Sequence, residues 1–287
     1  MALNALTLGL IAALAWGIHD FAVRVASRDH PLMTTLLSVL LIGLFFHMIF
    51  MGFGTPLENV DSLNSRAIGL SVVAGLFYLG GAVALYIAFH RGPVKLVAPI
   101  IGSYPIASLL FASINGAPSS LAQWLAVFVV VAGVAIVAVT AKGEEAGIAH
   151  NQWVTAFVSV IGALGFAATF EVGQMAAAIA DEHLTIFITR LSCFAALLVV
   201  MIACRMRIRP DRRIVPLMIV MGFMDSLGLL CVLSAGGMAD AKFASVAASI
   251  FGLMTVLLCW AFLREKMTPP QWAGCLISFA AIGYLAL

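Results

Sequence analysis

The chain has 287 residues, of which 63% are hydrophobic and only 10% charged, with a mean hydropathy of +1.11 and a formal net charge of +2. A soluble domain is roughly 45–50% apolar and about 25% charged, so this composition excludes a soluble enzyme, a nucleic-acid binder and a disordered chain. That much apolar surface requires a lipid bilayer crossed many times.

Ten apolar stretches follow one another: 4–26, 32–54, 67–90, 94–114, 120–141, 153–180, 184–204, 213–236, 242–263 and 269–287. A spanning helix needs about 20 apolar residues, and each stretch is of that order. Breaks fall at Asp29-His30-Pro31, Thr55-Pro56, Gly92-Pro93, Gly116-Ala117-Pro118, Arg209-Pro210 and Pro269-Pro270, where turn-forming residues cluster. Continuous apolarity without alternation predicts helices rather than a membrane barrel. The first stretch has no basic segment before it and reads as a span, not a cleavable leader. Cys193, Cys204, Cys231, Cys259 and Cys275 lie in or beside apolar runs without CxxC spacing. They read as small buried hydrophobes, and no metal site or disulfide framework is implied.

Internal echoes divide the chain. Gly75 and Gly222, and Lys95 and Lys242, are both 147 residues apart. Gln123-Trp124 returns as Gln271-Trp272 after 148, and Asp29-His30 as Glu182-His183 after 153. The expected domains are therefore 1–145 and 146–287, five helices each. An odd number of spans per half turns the second copy upside down, the inverted-repeat plan of secondary transporters with a site near the midplane. The expected fold class is an all-α membrane protein, ten transmembrane helices as two inverted five-helix repeats around a central cavity.

Twelve of the fifteen Lys and Arg residues lie in or beside the loops after the odd-numbered spans; Arg66, Arg190 and Lys242 are assigned to the other side. The charge rule then places both termini outside the cytoplasm.

Ionisable groups at bilayer depth are costly and mark function by default. Glu171 shares a small, polar face of span six with Ala167, Gln174 and Ala178. It reads either as a cavity carboxylate for an ammonium group or proton, or as the partner of Arg190. Asp225 in span eight has Tyr78 as its repeat mate, 147 residues earlier. It reads as half of a midplane site, or as a neutral acid bonded to a neighbouring helix. Trp16, His19 and Asp20 share one face of span one and could stack a ring, bind charge and relay a proton, although Asp20 could equally pair with Arg24. Span four carries Pro99, Gly102, Ser103, Tyr104 and Pro105. Two prolines free backbone carbonyls there, predicting a hinge at Pro99 and Pro105 with Ser103 and Tyr104 near the site. In span nine, Ser245, Ser249 and Gly252 read as a small packing face, and Lys95 and Lys242 as interfacial residues. The expected cavity lining is Trp16, His19, Tyr78, Ser103, Tyr104, Glu171 and Asp225. No phosphate-binding P-loop, HExxH or histidine pair at metal spacing occurs, so no cofactor and no catalytic cluster is implied.

The segment Leu263-Arg264-Glu265-Lys266-Met267-Thr268-Pro269-Pro270-Gln271-Trp272-Ala273-Gly274 resembles the junction between the last two helices of the EamA-type drug/metabolite transporters. Ala13-Leu14-Ala15-Trp16-Gly17 is similar to that family's first-helix signature, and Ser103-Tyr104-Pro105 sits where the family has a proline in its fourth helix. Asn115-Gly116-Ala117-Pro118 departs from the family by lacking a glutamate at the first half's 4–5 junction. Many ten-helix members keep their termini in the cytoplasm, opposite to the charge rule here. The resemblance covers the whole chain and implies a multi-pass transporter of the cytoplasmic membrane, not an enzyme. Members move amino acids, other metabolites, nucleotide-linked compounds or drugs. The mix of carboxylates, hydroxyls and a tryptophan favours amino-acid efflux by alternating access over drug export, and both over a membrane enzyme or scaffold. The implied partners are a small-molecule substrate and lipid, with protons as a candidate coupling ion and no nucleic acid.

Overall fold

The computed structural model describes residues 4–26, 32–54, 63–91, 97, 100–116, 118–140, 152–206, 208, 212–263 and 267–285. Pro99 and Lys95 lie outside the described residues. Among the described residues every regular element is helical. This is the expected answer to a solvent that offers no hydrogen bonds, because a helix satisfies its backbone internally. The helices are α1 (Ala5–Ala26), α2 (Leu32–Gly54), α3 (Ser65–Arg91), α4 (Tyr104–Ile114), α5 (Leu121–Thr140), α6 (Gln152–Ala177), α7 (Glu182–Ala203), α8 (Val215–Ser234), α9 (Lys242–Ala248), α10 (Phe251–Leu263) and α11 (Pro269–Leu285). Among the described residues six stretches are long and apolar enough to cross a membrane: Ala5–Ala22, Ser65–Ala88, Trp153–Ala177, Glu182–Ala203, Val215–Gly237 and Lys242–Phe262. Met33–Ile49, Tyr104–Ile114 and Leu121–Val137 are shorter apolar helices.

Local chemistry sets several helix starts. Asn4, Asn64 and Asp181 accept the backbone N–H of Thr7, Ala67 and Leu184 at 2.8, 2.8 and 3.1 Å, as N-cap side chains do. Before α5, Ser120 N–H donates to Gln123 Oε1 at 3.0 Å and Gln123 N–H to Ser120 Oγ at 3.2 Å. Before α11, Thr268 N–H donates to Gln271 Oε1 at 2.7 Å. The recurring Gln-Trp pair is thus explained: each glutamine reaches back to the residue three earlier, as in a capping box.

Two turns interrupt the helical run at Gly102–Ser103 and Ser249–Ile250, 147 residues apart. In the first, Ser103 N–H reaches Ile100 O at 3.2 Å and Ile106 N–H reaches Ser103 O at 3.0 Å. Pro105 falls in the first turn of α4, where its missing N–H removes no helical bond; it starts a new helix rather than bending an old one. The second turn has no proline. There Ser245 Oγ donates to Lys242 O and Ser249 Oγ to Val246 O, both at 2.8 Å, which is the back-bonding by which serine competes with the helical ladder. Span nine is therefore two helices, α9 and α10. Ser245 and Ser249 are buried, but Gly252 faces open space, so the expected continuous packing face is divided.

Helix packing sorts the chain into two mixed bundles. α3 packs most extensively on α6, both meet α7, and α6 also meets α4; α1 packs on α8, α9 and α10, and α2 joins α8. α2 also meets α7 between the bundles, and α5 pairs with α11. Lipid gives helices no hydrophobic reason to associate, so close approach by small residues does much of the work. A Cβ on Gly165 of α6 would lie 2.8 Å from the Cα and N of Gly81 in α3. One on Gly75 would lie 3.0 Å from Ser192 Cβ in α7, and one on Gly222 of α8 would lie 2.7 Å from Ile42 Cβ and 3.0 Å from Val39 O in α2. The outer surface carries exposed Leu14, Phe45, Leu76, Phe157, Ile202 and Leu276, the residue types that lipid accepts.

Gly165→Val is expected to force α3 and α6 apart and cost about 1–3 kcal/mol. Thermal denaturation in detergent should show an earlier transition for this variant. Gly69→Ala, at a position with nothing within 4 Å, should unfold no earlier than the parent.

Candidate functional site

The centre of the assembly is charged. Arg190, midway along α7, has 0% exposure, and Asp225, midway along α8, has 4%. Arg190 Nη1 donates to Asp225 Oδ2 at 2.7 Å, and Tyr78 Oη from α3 donates to Asp225 Oδ1 at 2.5 Å. The guanidinium carbon lies 5.1 Å from the centroid of the Tyr78 ring, within the range of a cation–π contact. Both oxygens of the carboxylate are occupied, and the cation has an anion and a ring. This is what burial of two charges demands, since each costs several kcal/mol to desolvate and only good geometry repays it.

The satisfaction is incomplete on one side. Arg190 Nε and Nη2, Ser226 Oγ and His47 Nε2 are buried without a hydrogen-bond partner. Gly43 of α2 sits against this edge: a Cβ there would collide with Ser226 Oγ and approach Arg190 Nε to 3.5 Å. His47 is one helical turn further along α2.

An aromatic row borders the charged centre. Trp16 stacks on Phe170 at 5.6 Å and meets Phe251 edge-on at 6.4 Å. Phe170 touches Tyr104 at 5.4 Å and Phe166 at 6.5 Å, and Phe166 reaches Tyr78 at 6.0 Å. A Cβ on Gly228 would lie 2.7 Å from the Trp16 indole, so that glycine makes room for the ring. Tyr104 Oη donates to Ser245 O at 3.0 Å, across the turn region of α9. His19 Nδ1 pairs with Asp20 Oδ1 at 2.9 Å, and His19 is close enough to feel the charges of Asp225 and Arg190.

Of the residues expected at the site, Trp16, His19, Tyr78, Tyr104 and Asp225 gather around this centre. Ser103 does not join it by hydrogen bonding; its Oγ donates to Ile100 O at 2.6 Å. Glu171 is half-buried and accepts a hydrogen bond from Asn115 Nδ2 at 2.9 Å, at the C-terminus of α4. The alternative pairing of Glu171 with Arg190 is corrected: Arg190 belongs to Asp225. The alternative of a neutral Asp225 is replaced by an ion pair. Arg190, read from the sequence as a candidate partner of Glu171 and also counted among the charges of one side, was left out of the expected lining. The signal was present in the cation within Ile186-Phe187-Ile188-Thr189-Arg190-Leu191, which is too deep in an apolar run to be a loop. Gln174, expected beside Glu171, instead points its Nε2 at Val232 O at 2.8 Å and Ala241 O at 3.2 Å. Among the described residues no group of three or more His, Cys, Asp or Glu could hold a metal.

A helical membrane protein with a buried ion pair held between two mixed bundles is the class this geometry defines. The sequence profile of the EamA-like transporter family matches residues 3–139 and again residues 153–287. The chain belongs to that family, within the drug/metabolite transporter superfamily. An uncharacterized protein of Methanocaldococcus jannaschii is 18% identical over 138 residues, which is 48% of this chain and 98% of that protein. One crystal structure matches with a TM-score of 0.80 at 16% identity, covering 99% of this chain and 98% of the other; that likeness is one of fold.

Asp225→Asn should strand Arg190 and lower stability by about 3–5 kcal/mol, the cost of leaving a buried charge unpaired. Replacing both Arg190 and Asp225 by leucine should recover most of that loss. Tyr78→Phe should cost less, about 1.5–3 kcal/mol, one hydrogen bond to a charged group. Denaturation of the three variants and the parent in one detergent checks the order.

Proposed function

We propose that this chain is a ten-span secondary transporter that exports amino acids across the cytoplasmic membrane by alternating access. The reading takes the architecture as two inverted repeats, 1–145 and 146–287. In its support, the family profile fits twice, and a relative matches 138 residues, 48% of this chain, over 98% of its own length. The two helix breaks stand 147 residues apart, as do hydrogen-bonded Tyr78 and Asp225. The packing of α1 on α8 has its counterpart in α6 on α3, and α2 on α8 in α7 on α3. Gly75 against Ser192 matches Gly222 against Val39.

Alternating access then moves one bundle against the other. The bundles are not the sequence halves, since each combines two helices of one half with helices of the other. Broken helices at the repeat interface supply unwound backbone near the site. The observation that carries the substrate class is the buried Arg190–Asp225 pair beside the Trp16–Phe170 wall. Opposite charges a few ångströms apart complement a zwitterion, and the aromatic wall accepts its side chain. A lipophilic cation fits less well, because Arg190 cancels the negative charge such a cargo requires. Trp16, His19, Tyr78, Tyr104 and Asp225 face the solute in this reading. Glu171 with Asn115, and Ser103, stand at its approaches, and protons are a candidate coupling ion.

Counterflow in proteoliposomes tests the function. Labelled amino acid should exchange with unlabelled amino acid inside, and Tyr78→Phe should slow exchange about tenfold, the weight of one hydrogen bond to a charged group. Failure of all twenty proteinogenic amino acids to exchange would overturn the substrate class. Orientation is tested separately. With Arg190 removed from the loop count, the Lys and Arg split becomes twelve to two, so both termini should lie outside the cytoplasm. A C-terminal alkaline phosphatase fusion should be active and a green fluorescent protein fusion dark.

A further inference from the structure

Arg190 presents two edges. Nη1 is used by Asp225, while Nε and Nη2 are without a partner, at 0% exposure. Ser226 Oγ, also at 0% exposure, is another unpartnered donor. Nε and Ser226 Oγ both lie against Gly43 of α2, where the chain carries no side chain and a Cβ would meet both. Buried donors without partners are few in native proteins, and each needs an explanation. A guanidinium edge with its Nε–H and Nη2–H free is shaped for a carboxylate held by two parallel bonds.

We propose that Arg190 reads the carboxylate of the transported solute through its Nε–Nη2 edge, with Ser226 Oγ as a further donor, while Asp225 takes the solute's ammonium group. This rests on the amino-acid reading above and specifies how that site discriminates. Charge decides between a zwitterion and a simple anion. Arg190 and Asp225 together are neutral. A bare anion on the free edge leaves one uncompensated buried charge, which costs several kcal/mol. A zwitterion brings its own counter-charge and leaves the centre neutral. Access follows from the packing. α2 lies in one bundle and α7 in the other, so the edge covered by Gly43 is uncovered when the bundles part there.

The test is binding, read as a rise in melting temperature of the detergent-purified full chain. The twenty proteinogenic amino acids are screened singly, and each binder is compared with its amide and its des-amino acid. Acetate, lactate, and chloride against gluconate serve as simple anions. The amide of a binder should bind about tenfold or more weakly, because a charged hydrogen-bond acceptor is lost, and the des-amino acid should also bind more weakly than the zwitterion. Arg190→Lys keeps a cation for Asp225 but loses the planar edge, so it should bring the acid-to-amide ratio close to one. Ser226→Ala, which has no hydrogen bond to lose at rest, should reduce the ratio and serves if the lysine variant fails to fold. An amide that binds as tightly as its acid overturns the proposal. So does a ratio that survives both variants, or a panel in which no carboxylate compound binds, including one in which chloride alone does. If acetate or lactate binds with a preference sensitive to Arg190→Lys while no amino acid binds, the edge assignment stands and the amino-acid reading falls.

Discussion

A guanidinium held out of water at the middle of a bilayer protein constrains everything around it. Arg190 cannot shed its proton, so its charge must be met where it stands. Asp225 supplies the counter-charge, Tyr78 completes the carboxylate, and the Tyr78 ring covers the cation. Meeting those demands fixes three heights at once, on α3, α7 and α8. It also calls for small neighbours: Gly222 lets α8 close on α2, and Gly43 lets α2 close on Ser226 and Arg190. A bulkier α2 would displace the helix that seals the guanidinium from lipid. The pair is therefore a registration device as well as a candidate binding centre, which is the best-attested use of buried charge.

The ion pair also joins the two bundles. Tyr78 and Arg190 come from the bundle of α3, α4, α6 and α7; Asp225 comes from the bundle of α1, α2, α8, α9 and α10. Movement of one bundle against the other acts on both bonds to Asp225. It would act less on the glycine contacts of α3 with α6 or α2 with α8, which lie inside a bundle. On the proposed reading, a solute with two opposite charges would stand in for what the moving bundles lose, because its charges would address one residue from each. Binding and motion would then share one set of atoms, and the solute's differential interaction with the two arrangements would shift their balance.

Membrane class, family and the Tyr78–Asp225 partnership were legible because each leaves a local mark. Apolar runs of spanning length read as helices, and intramembrane Asp225 and Tyr78, 147 residues apart, read as partners before any geometry. Span nine was not legible as two helices. Its break comes from serine hydroxyls bonding three residues back, and Ser245 and Ser249 look the same in sequence whether they pack or unwind. Pro105 advertised a break that it helps to start rather than to bend. Arg190 stood both as a span-seven partner for Glu171 and in a count of charges by side, which has no category for one at depth; which carboxylate it meets was not legible. The partner of Glu171 was hidden too: depth along the sequence does not show that α6 turns it toward Asn115. The bundle composition was hidden altogether, since no single-chain pattern says that α3 packs on α6.

Glycine and hydrogen-bond positions divide the contacts by kind. Gly9, Gly17, Gly228 and Gly222 bring together helices of one bundle, and Gly75, Gly81 and Gly165 those of the other. Such contacts are backbone against backbone or ring, lost outright by a small separation, because dispersion falls steeply with distance. Between the bundles, beside the apolar Trp16–Phe170 stack and the packing of α2 on α7, the connections include polar ones: Tyr104 to Ser245 O, Gln174 to Val232 O and Ala241 O, and the pair at Asp225. A polar group released from its partner can bond to entering water or solute instead, at small net cost. Gly173 and Gly236 cross between bundles too, but both lie beside Gln174 at one end of the assembly, where a pivot needs a close contact that persists. Close glycine contacts dominate within each bundle, while the seam between them adds exchangeable polar contacts to its apolar ones, and a seam of that kind is the one along which a protein opens most readily.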